Sequence, residues 1–210
     1  MMGAQVSEVR RVGITQRQVD LSERGEVRDA LDARLPQLLW ELGFVPVPLA
    51  NGVVDAVAYL AALDLGGFVL SGGDGVGEPP ARAHIERCAL DLAERGGLPV
   101  LGICRGMQVL VTACGGALAP VDGHVATRHA VDGPLTGARE VNSFHEFGVV
   151  PEGLPQELQP VAHAPDGTVE AVRHRDYPWT GIMWHPERER PFRAQDRALM
   201  SEALMRVVSR

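Results

Sequence analysis

In the first 115 residues, short apolar runs alternate with stretches whose apolar positions recur three and four apart. Val12-Gly13-Ile14-Thr15 reads as a first strand, preceded by a loose leader over residues 1–10. From Val27 to Leu42, the leucines 31, 35, 38, 39 and 42 keep helical spacing, with Pro36 either starting a new helical segment or kinking this one. Phe44 to Leu49 reads as a strand and Val53 to Leu63 as a short helix. Gly67 to Leu70 has the continuous apolar character of a buried strand and runs into Ser71-Gly72-Gly73-Asp74-Gly75. A helix over about Pro80 to Arg95 follows, with Ile85, Cys88, Ala89 and Leu92 on one face; then come a strand, Pro99 to Gly102, and a helix, Arg105 to Cys114. Such alternation predicts a parallel sheet covered on both faces.

After residue 115 the texture changes. Short β-like pieces take over: Ala117 to Val121, Glu140 to Ser143, Leu158 to His163, Val169 to His174 and Thr180 to Trp184. Turn signals such as Asp132-Gly133-Pro134 and Pro165-Asp166-Gly167 divide them. They predict strands added at one side of the sheet, partly antiparallel. A last helix, about Phe192 to Val208, directs Ala198, Leu199, Ala203, Leu204 and Val207 toward the core. The expected fold is α/β, a doubly wound, flavodoxin-like and mostly parallel sheet with helices on both faces. Residues 11–210 are expected to form one domain.

Composition narrows the function classes. The 210 residues are 45% hydrophobic and 22% charged, an ordinary balance for a globular chain. The net charge of −7 leaves no basic face for a phosphate backbone, so no nucleic-acid partner is expected. No run approaches the roughly 18 apolar residues of a membrane span. Three cysteines, 88, 104 and 114, lack both an even count and a metal spacing, which points to a reducing, cytoplasmic setting. Every cation-bearing Lys-or-Arg position is arginine.

The chemistry concentrates where a strand turns into a helix, at Gly102-Ile103-Cys104-Arg105-Gly106. A sharp turn there lifts the Cys104 sulfur to a helix N-terminus, where unpaired N–H groups favour a thiolate. Cys88 and Cys114 share helical faces with leucine and valine and read as core. A nucleophile needs a base, and the base needs an orienting group. Trp184-His185-Pro186-Glu187 supplies both: His185 stands at the end of an apolar strand, with Glu187 two residues on to accept one imidazole N–H. Parallel-sheet ligands gather at the carboxyl edge, so Thr15-Gln16-Arg17, Ser71 to Gly75, Cys104 to Gln108 and His185 onward should converge. Arg188 and Arg190 read either as a solvated charged run or as phosphate contacts. His124 and His129 lack a third ligand at convincing spacing, so no metal is expected there.

Gly-Ile-Cys-Arg-Gly-Met-Gln, followed some eighty residues later by His-Pro-Glu and preceded by Ser-Gly-Gly, resembles the class I glutamine amidotransferase superfamily. The Cys-Arg-Gly form and Val141-Asn142-Ser143-Phe144-His145 are most similar to its γ-glutamyl-γ-aminobutyrate hydrolase branch. The resemblance implies thiolate attack by Cys104 on a γ-glutamyl carbonyl, acid–base work by His185 oriented by Glu187, and an oxyanion held by the N–H groups of Gly73 and Arg105. It also implies that Gln108, Ser143 and His145 recognise the glutamyl group, with neither metal nor organic cofactor.

A narrower likeness lies in Gly-Ile-Thr-Gln-Arg, the His124 to His129 segment, His-Glu-Phe-Gly-Val and Trp-His-Pro-Glu-Arg-Glu, which resemble γ-glutamyl-CDP-amidate hydrolases. It implies a diphosphate on the leaving group, for which Arg17 is suitably placed. Two other readings stand beside this one. A glutaminase subunit would feed ammonia to a separate synthetase, and a non-catalytic binding protein could use the same fold. A homodimer is left open.

Overall fold

The computed structural model describes residues 10–207; residues 1–9 of the expected leader lie outside them. The strands are β1 (Arg11–Ile14), β2 (Arg17–Leu21), β3 (Glu26–Ala30), β4 (Val45–Pro48), β5 (Gly67–Leu70), β6 (Val100–Ile103), β7 (Ala119–Pro120), β8 (Thr127–Val131), β9 (Arg139–Ser143), β10 (Phe147–Gly148), β11 (Leu158–His163), β12 (Val169–His174) and β13 (Trp179–Ile182). The α-helices are α1 (Arg34–Glu41), α2 (Ala56–Ala62), α3 (Pro80–Gly96), α4 (Arg105–Ala113) and α5 (Ala194–Met205). Among these residues no helix is long and apolar enough to cross a membrane.

Seven strands form the central sheet, in the order β11-β12-β13-β6-β5-β1-β4. From β4 to β13 all pairs are parallel, and β12 and β11 extend that edge antiparallel. Numbered by appearance, the five parallel strands run 2-1-3-4-5, the flavodoxin-like order. The alternation of the central strands sends side chains to two cores. Val12, Ile14, Val69, Leu101 and Ile182 meet α1 and α5 on one face. Phe68, Leu70 and Val100 meet α2, α3 and α4 on the other. The strand order reverses between β1 and β5, which opens a crevice at the carboxyl ends of these strands.

Several elements differ from the sequence reading. The helical spacing from Val27 to Leu42 produces a helix only from Arg34. Gly25, left-handed at φ 65°, turns the chain so that β3 pairs antiparallel with β2 as a ribbon. Pro36 falls in the first turn of α1, where its missing N–H costs nothing. In α5, Met200 is buried with Leu199, Ala203 and Leu204, whereas Ala198 faces outward; the helix ends at Met205, and Val207 lies exposed beyond it. The pieces after residue 115 do not all join the sheet: β8–β9 and β7–β10 form separate two-stranded ladders. Bridges from Asp132 to His163 and from Val149 to Val169 fasten this annex to the sheet edge.

Candidate active site

The β6–α4 junction is a sharp strand-to-helix elbow. Cys104 caps α4 at φ 52° and ψ −107°, a conformation L-residues rarely adopt. Neighbouring glycines make it sterically feasible. A Cβ on Gly102 would lie 2.6 Å from the Gly106 carbonyl, and one on Gly106 would lie 2.0 Å from the Leu70 oxygen. The Cys104 N–H donates to Ile182 O at 2.7 Å, locking the elbow onto β13, the strand that delivers His185.

His185 is buried at 2% exposure and lies beside Cys104 across Gly72. Its Nδ1 meets Glu187 Oε1 at 2.6 Å, leaving Nε2 for the sulfur. Burial opposes charging of this imidazole, but the bonds to Cys104 and Glu187 outweigh it and raise its pKa to about 9. Asn142 grips the His185 backbone from both sides: Oδ1 accepts its N–H at 2.9 Å and Nδ2 donates to its carbonyl at 2.9 Å. The sequence reading quoted Asn142 inside a motif but gave it no role. Burial pushes the Cys114 thiol up to about 11 and the Cys88 thiol also upward, so both stay protonated at neutral pH.

The Gly72–Gly73 loop lies beside the pair. A Cβ on Gly72 would come 2.7 Å from His185 Cε1, and Gly73 is left-handed at φ 85°. The loop is held from below by two residues the sequence reading passed over. Arg82, fully buried, donates to the carbonyls of Ser71 at 2.7 Å, Gly72 at 3.1 Å and Gly73 at 2.8 Å. Its Nε meets Glu86 Oε1 at 2.9 Å, and the same oxygen accepts from Arg105 Nη1. Arg105 also donates to Gly75 O at 2.9 Å. Thus the Arg105 side chain fixes the loop while its backbone begins α4. An i,i+4 Arg–Glu pair on α3 is a legible signal, but it resembles any solvated helix pair.

Two cavities meet at this loop. One, of about 620 Å³, is lined by Gly73, Cys104, Arg105, Gln108, His145 and Phe147, among others. The second, of about 320 Å³, is lined by Arg17, Asp32, Gly72, Gly73, His185 and Arg188, among others. The four stretches expected at the carboxyl edge therefore do converge. Arg188 stacks over Phe144 at 4.4 Å, whereas Arg190 stacks on Phe192 at 4.1 Å and lines a separate cavity. Gln108 donates to Phe147 O at 2.7 Å, which leaves its amide oxygen toward the cavity. The Ser143 hydroxyl is spent on His124 O at 2.8 Å and is not among the residues lining either cavity. His145 turns its Nε2 away, toward His124, His129 and Glu170, so the spacing argument at His124 and His129 had lacked two neighbours that the fold supplies.

A family model for glutamine amidotransferase class-I matches residues 30–205. The chain belongs to the class-I glutamine amidotransferase family. Among curated proteins, the γ-glutamyl-CDP-amidate hydrolase of Campylobacter jejuni is 30% identical over 85% of this chain and 90% of its own length. The anthranilate synthase component 2 of Methanothermobacter marburgensis is 31% identical over 65% of this chain and 72% of its own. A glutamine amidotransferase structure from Thermotoga maritima superposes with a TM-score of 0.63 at 15% identity, covering 92% of this chain and 82% of that one, and so shares the fold.

Proposed function

We propose that this protein is a cysteine-dependent γ-glutamyl hydrolase whose substrate carries a phosphorylated leaving group, γ-glutamyl-CDP-amidate being the best-fitting example. The observation that carries this reading is the division of the site by the Gly72–Gly73 loop. Cys104 lies in the cavity with Gln108, and His185 lies in the cavity with Arg17 and Arg188. A glutamyl group on the first side leaves its γ-carbonyl at the sulfur and its amide nitrogen beside the imidazole. The hydrolase relative aligned over 90% of its length supports the same reading.

Cys104 and His185 share one proton; held on the imidazole, it leaves the thiolate free to attack the γ-carbonyl carbon. The oxyanion is held by the N–H groups of Gly73 and Arg105. His185, oriented by Glu187, returns the proton to the departing nitrogen as the C–N bond breaks, leaving a glutamyl-thioester. Water then enters, gives a proton to His185, and releases glutamate and the thiol. Gln108 accepts from the substrate α-ammonium group, while Arg17 and Arg188 face the phosphates of the leaving group.

Matches to synthase subunits support a second reading, in which the chain hydrolyses glutamine and passes ammonia to a partner. Mass spectrometry of products from γ-glutamyl-CDP-amidate, γ-glutamyl-GABA and glutamine separates the two. Preferred release of cytidine diphosphoramidate supports the hydrolase; glutamine preferred over both conjugates overturns it.

A further inference from the structure

The annex holds a side-chain cluster that the chemistry at Cys104 does not use. His124, His129, His145 and Glu170 each bring one donor atom to a common point, all four atoms lying within 4.8 Å of one another. Glu170 Oε1 is 3.4 Å from His124 Nδ1, 3.7 Å from His129 Nε2 and 3.4 Å from His145 Nε2. Glu170, His124 and His145 are at least 95% buried, with exposures of 0%, 3% and 4%. The three inward imidazole nitrogens and both Glu170 oxygens make no hydrogen bond. Five such atoms converging in the interior of a protein require an explanation.

The outward nitrogens supply one. His124 Nε2 meets Asp166 Oδ2 at 2.9 Å, His145 Nδ1 meets Phe147 O at 3.1 Å, and His129 Nδ1 meets Ala130 O at 3.0 Å. Carbonyl and carboxylate oxygens only accept, so each outward nitrogen carries the proton. In the neutral rings the lone pairs therefore all face the cluster. This is how metal-ligating histidines are oriented, each with its second nitrogen donating to a carboxylate or carbonyl. A single extra proton would serve one imidazole–carboxylate contact and leave the other lone pairs facing each other. A divalent cation serves all four ligands. Zinc bonds of about 2.0–2.1 Å place tetrahedral donors about 3.3 Å apart. The three Glu170 contacts are close to that, and the longer edges must close on binding.

We propose that His124, His129, His145 and Glu170 form a binding site for a divalent transition metal, with Zn²⁺ as the best-suited ion. Three imidazoles and one carboxylate match its ligand preferences, and four protein donors leave no open position, which makes the site structural. His129, on the β8–β9 ribbon, is the least buried ligand and marks the entry. The ion would tie that ribbon to β12 and to the loop of His145. Phe147 O, which accepts from both His145 and Gln108, links the site to the wall of the Cys104 cavity.

The test uses full-length protein without a polyhistidine tag, in the Cys104→Ala background so that the thiol is not a competing ligand. After chelator dialysis and addition of ZnCl₂, elemental analysis is expected to find about one zinc per chain, with a raised Tm. Co²⁺ substitution should give the intense visible bands of a tetrahedral site. His129→Ala and Glu170→Gln should each reduce retained metal at least tenfold, and Asp166→Asn should weaken affinity by about 10–100-fold. Should the ligand variants not fold, the Co²⁺ spectrum and zinc stoichiometry of the parent decide alone. Less than one-tenth equivalent of zinc with no tetrahedral cobalt spectrum, or full retention of zinc by folded His129→Ala, overturns the proposal.

Discussion

The elbow and the annex use histidine by one rule with two results. In both, a carboxylate or carbonyl holds one ring nitrogen, so the fold decides what the other one faces. At the elbow a single imidazole, held by Glu187 at 2.6 Å, faces the sulfur of Cys104. In the annex three imidazoles face one carboxylate and no nucleophile. The elbow is built on the parallel strands, where backbone bonds such as Cys104 N–H to Ile182 O fix the reacting groups. The annex is assembled from short ladders fastened to the sheet edge by single bridges at Asp132–His163 and Val149–Val169. Burial alone does not distinguish His185 from the annex histidines; the identity of the group opposite the free nitrogen does.

The sharpest way to break this contrast is to remove the nucleophile. Cys104→Ala is expected to lower turnover of every active γ-glutamyl substrate by about 10⁴-fold or more, as in enzymes whose nucleophile acts as part of a unit. Steady-state assays against the substrate panel read this directly. Unchanged turnover would show that the elbow is not the reactive centre.

Next in size is Glu187→Gln. With the orienting carboxylate gone, the imidazole loses both its tautomer preference and its charge partner, and kcat/KM is expected to fall by about 10²–10⁴-fold. The pH profile adds a sign. His185 is raised to about 9, so its protonated form persists below that pH and is lost as pH rises through it. An alkaline limb near pH 9 is expected in kcat/KM, belonging to the coupled Cys104–His185 pair. Removing the Glu187 carboxylate should move that limb to lower pH. A limb unmoved in the variant would assign the titration to another group.

The two regions were not equally legible in the sequence. The elbow is local: Gly102, Cys104 and Gly106 lie within five residues, and their steric reason is readable before any fold is known. His185 and Glu187 lie two residues apart just past β13, but a 3-10 turn over Pro186–Arg188, and not the period of an extended strand, brings the carboxylate to the imidazole. The annex is non-local. Its four converging residues span positions 124 to 170, and only pairing of β8 with β9 and docking of both against β12 brings them together. A spacing rule written for ligands close in sequence cannot find such a set. The β2–β3 ribbon escaped for a different reason. Its side chains are exposed or half-buried, so no core-facing alternation opposed the helical spacing of Leu31, Leu35 and Leu38.

The Gly72–Gly73 loop gives a test of how rigid the elbow region must be. Glu86 lies between Arg82 and Arg105, and all three are at most 2% exposed. Glu86→Gln leaves two buried guanidinium groups without the negative charge between them. Breaking a buried ion network in this way costs about 3–5 kcal/mol. A matching drop in urea-unfolding free energy is expected, with a lowered kcat because Arg82 carries the Ser71 to Gly73 carbonyls. Full stability in the variant would mean that the carbonyl contacts of Arg82 and Arg105, with the Arg82–Asp74 ion pair at 3.0 Å, suffice to hold the loop without Glu86.

The smallest effect separates the two cavities rather than the two regions. Arg17 is half exposed and 3.6 Å from Asp74, an arrangement in which solvent screens most of the charge. Arg17→Ala should therefore leave the fold and the acylation chemistry alone. If the cavity with Arg188 receives phosphates, KM for γ-glutamyl-CDP-amidate should rise by about tenfold, in keeping with the loss of one charge-assisted contact. For γ-glutamyl-GABA, which carries no phosphate, KM should stay within about twofold, and the difference should shrink at high salt. Equal effects on both substrates would mean that Arg17 shapes the loop at Gly73, whose space its side chain borders at 3.6 Å, and does not read the leaving group. Under the proposed function both substrates use the same Cys104, His185 and Gln108, so the pair of KM values varies only the second cavity.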